Sequence, residues 1–185
     1  QTDIYVARVD WPPDGRSLAI QVQSRDQKAL YLLRCDVESG ERTVLLCERD
    51  AHWVELHDDL RLLESGEFVW ASERSGFKHL YLYGPDGSLI RPLTAGQWPV
   101  DRVTGVDEEH RILYFEGWTE SPLERHLYRV SLQGGPVEPV TLGKGWHEAV
   151  LSRDGTCYLD THSTILQPPQ VALRTVSGAQ WAMLE

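Results

Sequence analysis

The sequence predicts an all-β fold, a β-propeller of about four four-stranded antiparallel blades that form part of a larger ring. Three observations carry this. A turn signal ahead of a strand recurs at Gly15, Gly66, His110 and Gly155, at intervals of 51, 44 and 45 residues, the length of one propeller blade. The same landmarks then follow in the same order four times: a strand, a second turn and a closing strand. No stretch combines a helical apolar period with helix caps.

The clearest copy is Gly66 to Gly96, GEFVWASERSGFKHLYLYGPDGSLIRPLTAG. Its runs VWAS and HLYLY are rich in the aromatic and β-branched residues that suit half-buried strands. Phe68, Trp70, Leu80, Leu82, Leu89 and Leu93 mark the apolar positions. Ser75-Gly76 and Pro85-Asp86-Gly87 supply the turns. Equivalent third strands are Leu30 to Leu33, Leu127 to Val130 and Val171 to Leu173. The turns after them are Ser39-Gly40, Gly134-Gly135 and Ser177-Gly178. The closing strands are Thr43 to Leu46, Leu89 to Leu93, Val137 to Leu142 and Trp181 to Leu184. First strands are placed at Tyr5 to Val9, in the Trp53 to Leu62 region, at Val100 to Val106 and at Ala149 to Leu151. The blades then divide as 1–50, 51–96, 97–143 and 144–185 within one partial propeller, 1–185. Trp11, Trp53, Trp98 and Trp146 stand near the blade starts, where inter-blade packing is expected.

The 185 residues are 41% hydrophobic and 25% charged, enough for a sizeable core. A net charge of −10 argues against a nucleic-acid partner. No apolar run reaches the roughly 18 residues of a membrane helix, so this piece holds no membrane segment. Cys35, Cys47 and Cys157 form no metal or disulfide framework and read as small buried hydrophobes. A two-residue Ser39-Gly40 loop would leave Cys35 and Cys47 diagonal neighbours at best. The chain opens at Gln1-Thr2-Asp3 and reads as a piece of a longer protein. End blades of an open arc would expose sheet faces, so self-association is expected.

WASERSGFKHLYLY, FEGWTESPLERHLYRVSLQGG and SRDGTCYLDTHSTILQPPQVALR, with Asp160, Ser163 and Pro168-Pro169 in a D-x-x-S-x-x-x-x-P-P arrangement, carry a resemblance. Together they resemble the N-terminal propeller of the dipeptidyl peptidase IV family, its bacterial branch in particular, within the prolyl oligopeptidase superfamily. The resemblance covers nearly the whole chain. It implies an eight-bladed propeller followed by an α/β-hydrolase domain, and release of X-Pro or X-Ala dipeptides from peptide N-termini. The partners it implies are that hydrolase domain, the remaining blades and a peptide substrate. It implies no cofactor, and an exported or periplasmic location.

The chain itself lacks the G-x-S-x-G nucleophile elbow of a serine hydrolase. Ser75 and Ser163 have the wrong flanks, so no catalytic residue is assigned and the implied triad would lie beyond residue 185. The implied paired glutamates that hold the substrate amine would lie in an earlier propeller segment; Asp107-Glu108-Glu109 imitates them but reads as a solvated turn. Seven histidines show no metal-ligand spacing. His79 and His126 precede an L-Y pair in successive blades, which predicts a repeated hydrogen bond at a strand start. Glu73-Arg74 sits in a turn and reads as solvated, or as paired with a neighbouring blade or domain.

Trp53-Val54-Glu55-Leu56-His57-Asp58-Asp59 matches the family's Gly-Trp-Val-like loop, which the resemblance places on the far side of the peptide pocket. The following arginine and aromatic of mammalian members are replaced here by Leu56, His57 and Asp58. Trp53, His57 and Asp58 are therefore the candidate substrate-binding residues. Two other readings stand beside the peptidase scaffold: a stand-alone interaction propeller for a protein partner, and a propeller enzyme with its own central site. The last would need convergent acidic or histidine residues at equivalent blade positions, and the repeats offer none.

Overall fold

A computed structural model describes residues 3–184, which form four separate four-stranded sheets. In the first, β1 (Ile4–Asp10), β2 (Ser17–Ser24), β3 (Ala29–Asp36) and β4 (Arg42–Arg49) lie side by side in chain order. The second orders β5 (Arg61–Leu62), β6 (Phe68–Ser72), β7 (His79–Tyr83) and β8 (Leu89–Pro92). The third holds β9 (Val100–Asp107), β10 (Ile112–Gly117), β11 (His126–Ser131) and β12 (Glu138–Pro139), and the fourth β13 (Trp146–Leu151), β14 (Cys157–Thr164), β15 (Gln167–Thr175) and β16 (Gln180–Met183). The strand pairs with a defined register are antiparallel and sequential, because short turns suffice to join them.

One turn chemistry punctuates these sheets. Asp14, Asp86 and Asp154 each accept an N–H from the residue two positions on, at 2.8, 3.0 and 3.1 Å, beside a glycine at positive φ. Hydrogen bonds to the ionised form keep all three carboxyls below the usual aspartate range. Gly87 is the least replaceable of those glycines. Its φ is +83°, and a Cβ there would run into the carbonyl of Leu45.

The chain packs as two compact units. One contains the described residues up to Trp70 together with Tyr81–Arg91; the other contains Ala71–Leu80 and the described residues from Pro92 onward. The first is organised around Trp70, Phe68, Leu30 and Leu32, with Phe68 stacked on Tyr83 at 5.1 Å. The second has Tyr114, Leu127, Val140, Ala149 and Tyr158 at its centre. Burial, with the nearby Asp160 charge, pushes the Tyr158 phenol up to about 12.

Several expectations are corrected. The first strand of the second sheet is Arg61–Leu62 only, not most of 53–62. Val54 instead donates to Gln27 O at 2.7 Å and accepts from Gln23 Nε2 at 2.8 Å, which draws this segment away from its own sheet. The closing strand expected over 137–142 shrinks to Glu138–Pro139, after which the Val140 and Thr141 N–H groups both converge on the Leu127 carbonyl instead of continuing the ladder. Leu89 is half exposed because it lies on the outer strand. The turn between β3 and β4 is closed by Asp36 N to Glu41 O, wider than a two-residue loop, and a bulge follows. Cys35 therefore faces Arg42, and Cys47 faces Tyr31. All three thiols are free, and none is fully buried: Cys47 is exposed, Cys35 and Cys157 half-buried. Trp11 and Trp53 are exposed rather than packed, whereas Trp98 sits against both His79 and Phe115.

His79 and His126 do share one role. His79 Nδ1 lies 3.0 Å from Thr94 Oγ1, and that hydroxyl accepts the Leu80 N–H at 3.0 Å. His126, Leu127 and Thr141 repeat the arrangement at 3.1 and 3.0 Å. The threonine hydroxyl thus terminates the ladder where the closing strand departs. Thr94→Val keeps the shape but leaves the buried Leu80 N–H and one imidazole nitrogen without a partner. Its expected cost is about 1–3 kcal/mol, read as a lowered urea midpoint; an unchanged midpoint would refute that role.

Candidate functional site

The segment with the proposed binding residues runs between β4 and β5 and is built from anchors inward. Asp50 caps its entry by accepting the His52 N–H at 2.7 Å. Val54 and Leu56 pack on the apolar cluster around Trp70. His57 lies edge-on to the Trp70 ring, with centroids 4.5 Å apart at 67°. Its Nδ1 accepts the Asp59 N–H at 3.3 Å. Arg61 closes the segment, donating to the carbonyls of Asp58 and Leu60 at 2.7 and 2.8 Å.

The three sequence candidates sit in this one segment in different environments. Trp53 is 60% exposed, a free apolar surface. His57 is half-buried and belongs partly to the core. Asp58 is exposed and accepts a 2.6 Å hydrogen bond from Arg8 Nε, which holds its carboxyl below the usual range. Sequence reasoning missed Arg8; it is 50 residues away on β1 and nothing local marks it. The segment offers an aromatic face and a neutralised ion pair, the chemistry of contact rather than of bond breaking. Asp107, read as part of a solvated turn, accepts from the His110 N–H and sits 2.8 Å from its Nδ1, and the His110 pKa is raised in consequence. Arg74 bonds Ser72 Oγ beside its own turn at 2.9 Å.

A second polar centre escaped the sequence. Glu116 on β10 is fully buried and accepts from Arg102 Nε at 2.9 Å and from the Ala149 N–H at 2.6 Å. Arg125 lies 3.4 Å from the same carboxylate, bonds Asp101 at 2.7 Å, and covers the Trp146 ring at 4.6 Å. Asp160, read in the sequence only as part of a motif, is buried and bonded to His147 Nδ1 and Arg174 Nε, each at 2.9 Å. Burial opposes its ionisation, but the His147 bond and the Arg174 charge prevail and lower its pKa.

Comparison with known proteins agrees across the chain. The family model for the dipeptidyl peptidase IV (DPP IV) N-terminal region matches residues 1–169. A probable dipeptidyl peptidase 4 of Emericella nidulans is 30% identical over 75% of this chain and 20% of its own length. Human dipeptidyl peptidase 8 is 26% identical, covering 95% of this chain and 26% of that protein. The chain thus spans about a quarter or less of the first of these relatives and about a quarter of the second. The crystal structure of Porphyromonas gingivalis dipeptidyl peptidase 4 matches 98% of the chain with a TM-score of 0.92 at 25% identity, and covers 26% of that protein. A putative dipeptidyl aminopeptidase IV from Bacteroides ovatus shares the fold, with a TM-score of 0.86. The four sheets are propeller blades, and the chain belongs to the dipeptidyl peptidase IV N-terminal region family.

Proposed function

We propose that these residues are a non-catalytic part of the propeller of a dipeptidyl peptidase IV-like serine exopeptidase, one that removes X-Pro or X-Ala dipeptides from peptide N-termini. The propeller works with an α/β-hydrolase domain of the same protein, gating access and helping position the peptide. Trp53, His57 and Asp58 contribute the contact surface, with Trp53 against apolar side chains and Asp58 against the peptide backbone or a basic group. The carrying observation is the match of 98% of the chain to a solved dipeptidyl peptidase 4 at a TM-score of 0.92. The lack of a nucleophile elbow within these 185 residues agrees with a supporting role.

The test is release of a chromophore from a Gly-Pro or Ala-Pro anilide. The 185-residue chain is expected to be inactive, and the longer protein containing it active. In that longer protein, Trp53→Ala with Asp58→Ala is expected to raise KM about tenfold while kcat changes little, the signature of lost binding common to ground and transition states. Turnover by the short chain, or none by the longer protein, would overturn the proposal.

A further inference from the structure

In the compact unit that contains the third and fourth sheets, one end is apolar and the other polar. In a four-stranded antiparallel sheet laid down in chain order, the turn between the second and third strands and the connection leaving the fourth lie at the same end. Phe77, Leu123, Leu142, Trp146, Ile165 and Leu166 all sit on such turns or connections, or at their edge, and all are exposed. The turns of these two sheets at the other end, 108–111, 132–137, 152–156 and 176–179, hold no exposed large hydrophobic side chain among the described residues. Phe77 precedes β7 of the second sheet, and its neighbour Lys78 accepts the Val100 N–H of β9 at 2.8 Å, which brings that turn to the same end.

Trp146 is the built part of this end. It opens β13 and is 39% exposed. The Arg125 guanidinium lies over its ring at 4.6 Å, and Trp118, just past β10, stands beside it at 6.2 Å and 51°. Arg125 is itself fixed, donating to Asp101 at 2.7 Å and to His147 O at 3.0 Å. The ring is therefore held in place while part of it stays open, a preorganised contact that loses little freedom on binding. Its exposure is separate from that of the free side of the fourth sheet. Val150 and Leu159, an exposed cross-strand pair, mark that side, whereas Trp146 turns back onto Arg125 and Trp118 of the third sheet. Glu120, Glu124 and Glu148 outnumber Lys144 on the adjoining segments, because Arg102 and Arg125 are engaged with Glu116 and Asp101.

We propose that Trp146, with Leu123 and Leu142 on the adjoining loops, is a further peptide contact: it takes apolar or aromatic residues that follow the released dipeptide, and favours a basic residue among them over an acidic one. The proposal rests on the exopeptidase reading above. The connection 140–145 corresponds in the repeat to the candidate segment between β4 and β5, since each joins a fourth strand to the next first strand. An extended dipeptide spans only about 7 Å. Packed sheets stand about 10 Å apart. Apolar groups spread over the loops of two sheets outreach the dipeptide and fit the chain beyond it.

The test is kinetic and uses the longer protein. A Gly-Pro anilide carries only an aryl group past its proline, whereas Gly-Pro-Phe-Lys-Phe amide continues as a peptide. Trp146→Ala is expected to raise KM about tenfold for the peptide and less than about twofold for the anilide, with kcat little changed. Trp146→Phe is expected to restore most of the loss. The wild-type protein is expected to show a lower KM for that peptide than for Gly-Pro-Phe-Glu-Phe amide. Equal shifts for anilide and peptide would mark a structural role and overturn the proposal. An unchanged KM for the peptide, or no preference for Lys over Glu, would overturn it as well. If Trp146→Ala does not fold, Leu142→Ser, at a 76% exposed site, makes the same comparison. A longer protein that cleaves none of these substrates would fail the exopeptidase reading itself, and this proposal with it.

Discussion

Glu116→Ala is expected to lower folding stability by about 3–5 kcal/mol, the usual cost of removing one member of a buried ion network. The carboxylate is fully buried; Arg102 and the Ala149 N–H donate to it, and the Arg125 guanidinium lies 3.4 Å away. Removing it strands the Ala149 amide and leaves Arg125, whose side chain is 10% exposed, with Asp101 and the partly exposed Glu148 as its counter-charges among the described residues. Glu116→Gln should fall between wild type and alanine, since its carbonyl still accepts from the amide but carries no charge. Arg102→Ala should cost less than either, because Arg102 is 44% exposed and solvent screens what it loses. Denaturant midpoints of the three variants measure this order. A loss below about 1 kcal/mol for Glu116→Ala would mean that desolvating the carboxylate consumes nearly all that its partners return.

That network also shows where sequence reading ends. The blades were legible because their signals are local. Asp14, Asp86 and Asp154 each announce a turn within three residues, and the strands between them alternate or run fully apolar. The histidine–threonine pair was half legible: the repeated His79 and His126 were visible, but their partners Thr94 and Thr141 lie 15 residues on, an equal offset that could have been read as a second repeat. Glu116 was not legible. Arg102, Arg125 and Ala149 reach it from three other strands or loops, at separations that no periodicity fixes. The anchors of the candidate segment were equally out of reach of the sequence. The first strand was placed only somewhere within Trp53 to Leu62; it forms at Arg61–Leu62, because Gln23 and Gln27, about thirty residues earlier, take up the backbone groups of Val54. Local pattern specifies which strands form; the long-range polar partners decide where a strand gives way to a loop, and the candidate segment starts at such a place.

Trp70→Ala links that segment to the core, and is expected to cost about 3–5 kcal/mol. Trp70 has no exposed surface and lies in the cluster of Leu30, Leu32, Phe68 and Tyr83. Its removal leaves a void that the stacked Phe68 and Tyr83 rings can fill only by leaving their 5.1 Å parallel contact. Trp70→Phe is expected to be far milder, about 1 kcal/mol, because most of the ring volume returns and the buried Nε1–H, which has no hydrogen-bond partner among the described residues, disappears. The two variants separate packing from positioning. His57 rests on the Trp70 ring, so alanine should also free residues 56–59, seen as faster hydrogen exchange there, while the bonds of Val54 to Gln23 and Gln27 hold the first half of the segment in place. Unchanged exchange at 56–59 in Trp70→Ala would show that the Arg61 bonds to Asp58 and Leu60 suffice to hold the segment. Faster exchange would make the core tryptophan a positioning residue for the proposed contact surface.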